Sequence, residues 1–162
     1  MALDATVKIV SAQGERTLPL EKIFLRNRET CLMDKELVTE IQVPALPPHT
    51  GAAFMKFART SVDLALVNSA VRVTLDGDVM KNVRVVVGGG IGLTLIRSRK
   101  AEGTLENQKI NEKLLEEAGE IVAGELKPRA TSIRGSGYYK REMSKVMLRD
   151  SVMQALERAK ED

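Results

Sequence analysis

Hydrophobic and polar positions alternate at the start of the chain. Val7 and Ile9 fall on one face and Lys8 and Val10 on the other, which predicts a short strand. Gln13-Gly14-Glu15 reads as a turn and residues 16–20 as the returning strand, with Pro19 placing it at a sheet edge. Residues 21–28 read as a short helical turn or loop with Ile23, Phe24 and Leu25 pointing inward. Residues 37–43 alternate again and stop at Pro44, a third strand. The stretch 44–51 holds three of the five prolines and is the linker of choice, dividing the chain into 1–44 and 45–162.

Beyond the linker, residues 52–57 read as a strand, and residues 64–75 form an apolar run with β-branched residues toward its end. Asp76-Gly77-Asp78 has the composition of a hairpin turn, and Val79 and residues 83–87 form the strand that returns. Two apolar runs around such a turn predict antiparallel pairing. The period then changes. Leu114, Leu115, Ala118, Ile121 and Val122 mark an amphipathic helix over 111–125, with Asn111 as its cap. Residues 136–159 predict a longer helix, capped by Ser136, with Tyr139, Met143, Val146, Met147, Leu148, Val152, Ala155, Leu156 and Ala159 as its apolar set. Strands first and helices last predict an α+β fold: an antiparallel sheet with helices packed on one face.

The chain has 162 residues, 43% hydrophobic and 29% charged, the balance of a folded domain with a short appendage. The longest apolar run, 85–96, is too short and too rich in glycine to span a bilayer, and the first residues lack the features of a signal peptide. One cysteine, Cys31, excludes a disulfide framework and an iron–sulfur cluster held by this chain alone, and it is expected to be a buried, inert thiol. One histidine, His49, excludes most imidazole metal sites, so no metal site is expected. Sparse cysteine use points to a reducing, cytoplasmic compartment. A net charge of +3 with no tryptophan is too mild a signal for nucleic-acid binding.

Few motifs carry chemistry. In residues 83–92, a strand runs into Gly88, Gly89, Gly90 and Gly92. The dinucleotide fingerprint requires a third glycine at the position that Leu93 occupies, and a helix after it. The run is therefore read as a strand end where backbones approach closely. His49 reads as a solvated linker residue, and Met143, Met147 and Met153 as core filler. Arg141, Lys145 and Arg149 form a basic stripe, read as a solvated face. Lys56 follows Phe54 on a strand and precedes a small polar loop, 59–63. An aromatic, an ammonium and a mobile loop at a domain junction suit a flat, electron-rich ligand edge, whereas spacing alone favours a plain surface lysine.

Several segments in order resemble one family. Gly14-Glu-Arg-Thr-Leu-Pro-Leu20, Thr30-Cys-Leu and Glu36-Leu-Val-Thr-Glu-Ile-Gln-Val-Pro44 resemble the end of the FAD-binding portion of molybdenum hydroxylase flavoproteins. Phe54-x-Lys56, Asp63-Leu-Ala65, Ala101-Glu102, Leu105, and Ile133-Arg-Gly-Ser136 with Tyr139 and Met143 resemble their C-terminal domain. Ser132 stands where the family has an acidic residue, and Leu95 where it has a proline. The family is the FAD subunit of xanthine dehydrogenase and aerobic carbon monoxide dehydrogenase. The resemblance implies that residues 1–44 are the end of the FAD-binding domain, a short β-rich remnant, and that residues 45–162 are the C-terminal domain. It implies FAD as cofactor, with Lys56 beside the polar edge of the flavin ring, Phe54 and Thr39 near the ring, and Asp63 in the loop on the acceptor side.

The glycine-rich segments that hold the FAD diphosphate in the family have no counterpart here, so the chain is expected to be the last half of such a subunit. It is expected to be inactive alone and empty of FAD. Its expected partners are an N-terminal FAD-binding portion, an iron–sulfur subunit and a molybdopterin subunit, with no nucleic acid and no membrane. The function implied is electron transfer from iron–sulfur clusters through FAD to an acceptor. The alternative is a non-catalytic interaction or scaffold module that keeps the fold without flavin, and a weaker third reading is a nucleic-acid binder using the basic helix. Val7, Ile9, Leu20, Phe24 and Ile41 call for burial, so residues 1–44 must fold back on the C-terminal domain, form a homo-oligomer or meet a partner chain.

Overall fold

The computed structural model describes residues 1–129 and 134–161. Ser132 and Ile133 lie outside them. The chain forms two compact units, one over Leu3–Ala45 and one from Leu46 onward.

The first unit is a small antiparallel sheet of β1 (Thr6–Ser11), β2 (Gly14–Pro19) and β5 (Leu37–Gln42), with β1 in the middle. Pro19 ends β2, an edge strand, where its missing N–H costs no ladder bond. A 3-10 turn at Leu20–Lys22 leads into β3 (Phe24–Arg26), which pairs with β4 (Glu29–Thr30). This corrects the expected loop with three inward residues. Ile23 is buried, but Phe24 and Leu25 are exposed because the short ribbon turns them outward. The unit has one small cluster, Val7, Ile9 and Ile23, with Leu18, Leu20, Cys31 and Leu32 packed on it. Cys31 is half-buried. Strand β5 is exposed along its whole length, with Leu37 at 69% and Ile41 at 57%. Phe24 and Ile41, which call for burial, are left uncovered by this unit: three short strands and a 3-10 turn enclose too little volume to cover both sheet faces.

Arg16 crosses this unit to Glu36. Its Nε and Nη2 donate to the two carboxylate oxygens at 2.8 Å each, while the Met33 N–H donates to the same carboxylate at 2.7 Å. Arg16 also donates to the Cys31 carbonyl, so one guanidinium ties β2 to the segment before β5.

The second unit is a four-stranded antiparallel sheet in the order β6 (Thr50–Phe57), β7 (Val67–Asp76), β8 (Val79–Gly89) and β9 (Ile96–Arg97). The β7–β8 turn falls at Gly77-Asp78, where Gly77 has φ +58°, as hairpin geometry demands. Helices α1 (Arg99–Leu105), α2 (Glu112–Glu125) and α3 (Gly137–Lys160) cover one face. Val67, Val71, Val73, Val83, Val85 and Val87 meet Leu115, Ala118, Val122, Leu148, Val152 and Ala155 in the core. Asn111 and Ser136 cap α2 and α3 by accepting from the Leu114 and Tyr139 N–H groups. Helix α3 approaches β6 closely because its buried stripe is mostly small and because Gly51 has no side chain: a Cβ there would meet Ala155 and Ala159 backbone.

Helix α1 is an element that the apolar pattern does not announce. Its Glu102 accepts from the Val85 N–H at 3.0 Å and from the Arg97 guanidinium at 2.8 Å. Glu106, just beyond it, accepts from the Asn82 and Val83 N–H groups. Strand β9 pairs only with Val86 and Val87, and these carboxylates finish the rest of the β8 edge, a device that protects it from other strands. One helical expectation also changes. Val146 and Met153 are exposed on α3 rather than packed in the core. The basic stripe lies at the surface, with Arg141 and Arg149 exposed, and is also paired: Lys145 meets Glu120 and Glu142, Arg149 meets Glu112, and Arg141 donates to the Leu126 carbonyl.

Candidate functional site

Alternation along β6 places Gly51 and Ala53 toward α3, and Phe54 and Lys56 on the opposite face of the sheet. Register then fixes their neighbours on that face. Phe54 pairs with Ala70 and onward with Val86; Lys56 pairs with Asn68 and onward with Gly88. Phe54 is 60% exposed although aromatic, beside the half-buried, small Ala70. Leu95 reaches back over Gly88 from the segment before β9. The result is a shallow, open platform with an aromatic at one side, able to seat one face of a flat ring.

The loop between β6 and β7 borders Lys56 and is closely knit. At its base the Leu66 N–H donates to the Phe57 carbonyl at 2.8 Å. The Lys56 ammonium donates to the carbonyls of Ser61 at 2.7 Å and Asp63 at 3.0 Å. The Asp63 carboxylate accepts from the Arg59 guanidinium at 2.7 Å and from the Leu64 N–H at 2.8 Å. Arg59 first, and then the Leu64 N–H, hold the Asp63 carboxyl below its usual range, with Arg134 adding to the effect. Asp63 therefore stays ionised and acts as an acceptor at the loop's end. Lys56, expected as a ring-edge residue or a plain surface lysine, is bonded to the loop in this structure.

The glycine run at the end of β8 sits against this loop. The Gly90 N–H donates to the Leu66 carbonyl at 3.0 Å, and the Gly90 carbonyl accepts from Lys140 Nζ at 3.0 Å. Gly89 has φ +98°, and a Cβ there would come within 2.7 Å of the Leu66 carbonyl oxygen. A Cβ on Gly90 would meet Lys140 Nζ at 2.6 Å, and one on Gly88 would meet Asn68 Oδ1 at the same distance. The glycines thus allow the loop, α3 and Asn68 to approach, as close-packed strand ends require. Their surroundings are filled by protein and offer no cradle for a diphosphate. Lys140 is 2% exposed, and burial, helped by Arg134, pulls its ammonium below the usual lysine range.

Of the residues singled out in the sequence, Phe54, Lys56 and Asp63 fall within one unit, with Lys56 bonded to the Asp63 carbonyl. Thr39 lies on β5 of the other unit, exposed, with its hydroxyl donating to the Lys8 carbonyl at 3.5 Å. His49 is exposed, with φ +55°, and its carbonyl accepts from the Leu75 N–H. Sequence reasoning missed Asn68 and Lys140. Both left a signal: Asn68 interrupts an apolar strand, and Lys140 lies four residues before Ser144 and eight before Leu148, on the buried stripe of α3. Among the described residues no three His, Cys, Asp or Glu side chains gather as a metal site needs, and no helix is long and apolar enough to cross a membrane.

Residues 52–155 match the CO dehydrogenase flavoprotein C-terminal domain, and residues 1–46 match the FAD binding domain in molybdopterin dehydrogenase. The chain is 34% identical over 161 residues to the 6-hydroxypseudooxynicotine dehydrogenase complex subunit alpha of Paenarthrobacter nicotinovorans, covering 99% of this chain and 54% of that protein. It is 26% identical over 149 residues to the carbon monoxide dehydrogenase medium chain of Hydrogenophaga pseudoflava, covering 92% of this chain and 51% of that one. A solved structure of carbon monoxide dehydrogenase from Hydrogenophaga pseudoflava, lacking the Mo-pyranopterin moiety of its cofactor, superimposes with a TM-score of 0.92 at 27% identity over 97% of this chain and 54% of that one. The chain spans about half the length of the curated relatives it matches. The antiparallel sheet with three helices on one face is the fold of those C-terminal domains. The chain belongs to the CO dehydrogenase flavoprotein family, the medium, FAD-binding subunits of carbon monoxide and xanthine dehydrogenase-type molybdenum hydroxylases.

Proposed function

We propose that this chain contributes the C-terminal part of the flavin site in a molybdenum hydroxylase, residues 1–44 being the end of the FAD-binding domain and 45–162 the C-terminal domain. The observation that carries the reading is the open sheet face, where Phe54, Ala70 and Asn68 form a platform bounded by Leu95 over Gly88, beside a loop held by Lys56. These residues fit the flat ring of a flavin, because an exposed aromatic, small neighbours and a carboxamide suit its face and polar edge. They do not fit the diphosphate, since the glycine run is packed by Leu66, Asn68 and Lys140. When bound, the flavin would supply two-electron redox chemistry, taking electrons from iron–sulfur clusters in one partner chain, fed by a molybdopterin site in another, and giving them to an acceptor.

This chain's residues would bind and orient. Phe54 would pack against the ring, and Thr39 would be a flavin contact contributed by the FAD-binding portion. Lys56 and Asp63 would fix the loop on the acceptor side, with the Arg59 guanidinium at its outer surface. The uncovered apolar side chains of the first unit, Phe24, Leu37, Val38, Ile41 and Val43, would meet the N-terminal FAD-binding portion. The setting would be cytoplasmic.

Reconstitution tests the reading. The chain is mixed with a separately expressed N-terminal FAD-binding half and FAD, then passed through a desalting column. A yellow complex with one flavin per pair supports it. Retention of flavin by the N-terminal half alone, with no association of this chain, overturns it in favour of a flavin-free scaffold.

A further inference from the structure

We infer that Asn68, rather than Lys56, is the side chain that reads the polar edge of the ring laid on this face; the inference rests on the flavin reading above. Three observations carry it. Asn68 is the direct cross-strand partner of both Lys56 and Gly88, so it occupies the centre of the platform. No hydrogen bond joins its side chain to any described residue, and its Oδ1 lies beside the Leu95 side chain over the backbone of Gly88. The Lys56 ammonium, by contrast, is held by the carbonyls of Ser61 and Asp63.

Chemistry favours the amide as well. The polar edge of a flavin ring presents a carbonyl beside an imide N–H. An asparagine side chain presents an NH₂ donor beside a carbonyl acceptor, so it can meet that edge with two hydrogen bonds at once. An ammonium has donors only and leaves the imide N–H without an acceptor. Phe54, one cross-strand position away on the same face, then lies beside the ring's apolar part. A polar residue at this point of an otherwise apolar strand thereby gains a reason: valine or alanine would serve the fold equally, and neither could read the edge.

The test uses the full chain and the ring alone. Lumiflavin is titrated into labelled protein and followed by backbone amide shifts, then compared with N3-methyllumiflavin, in which the imide N–H is replaced. Lumiflavin is expected to shift amides of residues 54–56, 68–70 and 86–88. Asn68→Leu is expected to weaken binding about tenfold, the loss of a hydrogen-bonded contact. Asn68→Asp, of nearly the same size but without the NH₂ donor, is expected to weaken it too. The N3-methyl ring should bind the unmodified chain about as weakly as lumiflavin binds the leucine variant, and should lose nothing further on that variant, because the methyl group removes the imide donor and also holds the edge away from the amide, breaking both bonds of the pair. Additive losses, or a larger loss from Lys56→Met than from Asn68→Leu, overturn the assignment and leave the flavin reading in place. Lumiflavin shifts absent from this face in the unmodified chain overturn both.

Discussion

The Lys56 ammonium donates to the backbone carbonyls of Ser61, at 2.7 Å, and of Asp63, at 3.0 Å, closing the β6–β7 loop around a single cation. The Asp63 side chain repeats the arrangement in reverse, accepting from Arg59 and from the Leu64 N–H. Removing the cation leaves two carbonyls without a charged donor. Lys56→Met is therefore expected to leave the sheet intact and to speed amide exchange across residues 60–65 about tenfold, the effect of losing roughly 1.4 kcal/mol of local closure. Exchange measured residue by residue checks it; unchanged protection in the loop with the fold retained would show that the ammonium does not hold it.

The packing of the glycine run leads to an expectation about colour. The backbone there is met by Leu66, Asn68 and Lys140, leaving no row of open N–H groups for a diphosphate. The isolated chain is expected to purify colourless, and FAD added to it should be lost on desalting. An absorbance spectrum of the purified chain settles the matter: stoichiometric flavin would contradict the closed-run geometry.

Gly51 is where α3 comes nearest the sheet. A Cβ at that position would lie 2.6 Å from the Ala159 nitrogen and 2.9 Å from the Ala155 carbonyl carbon, both backbone atoms that cannot swing aside. Gly51→Ala is expected to push α3 outward and to destabilise the second unit by about 1–3 kcal/mol, the usual cost of overpacking. Urea denaturation followed by circular dichroism measures it. Gly103, where a Cβ meets nothing within 4 Å, supplies the control, and Gly103→Ala in mid-helix should not destabilise.

Acid should loosen the first unit. The Arg16 guanidinium and the Met33 N–H hold the Glu36 carboxyl below its ordinary value of 4.5. A carboxyl whose folded value is depressed stabilises the fold above its unfolded value, and that contribution is lost as pH falls through the folded one. The first unit is therefore expected to keep its strength at neutral pH and to lose it progressively below about pH 4.5. Glu36→Gln should weaken the unit at pH 7 and flatten this acid dependence, read from amide exchange or from the shift of β1 and β5 resonances with pH. An unchanged slope in the variant would mean that another carboxyl governs it.

Much of this fold was legible in the sequence. Alternation at Val7 and Ile9, the turn at Gly77-Asp78, and the periods of α2 and α3 are local signals, set by backbone geometry and the need to bury one face, and each element formed where its pattern placed it. The caps at Asn111 and Ser136 were equally local. Which glycine run meets a ligand and which meets a helix is not local: Gly88, Gly89 and Gly90 acquire their meaning from Leu66, Asn68 and Lys140, the last 50 residues away from Gly90. Pairing of the Arg141, Lys145 and Arg149 stripe likewise depends on α2 lying beside α3. The sequence offered Lys56 and Phe54 as a pair on one strand face, but only the register of β6, β7 and β8 set Asn68 between Lys56 and Gly88, and only the folded loop occupied the ammonium. Periodicity determines which side of an element faces inward; cross-strand register and loop closure determine which side chains meet there, and those depend on contacts far apart in the chain.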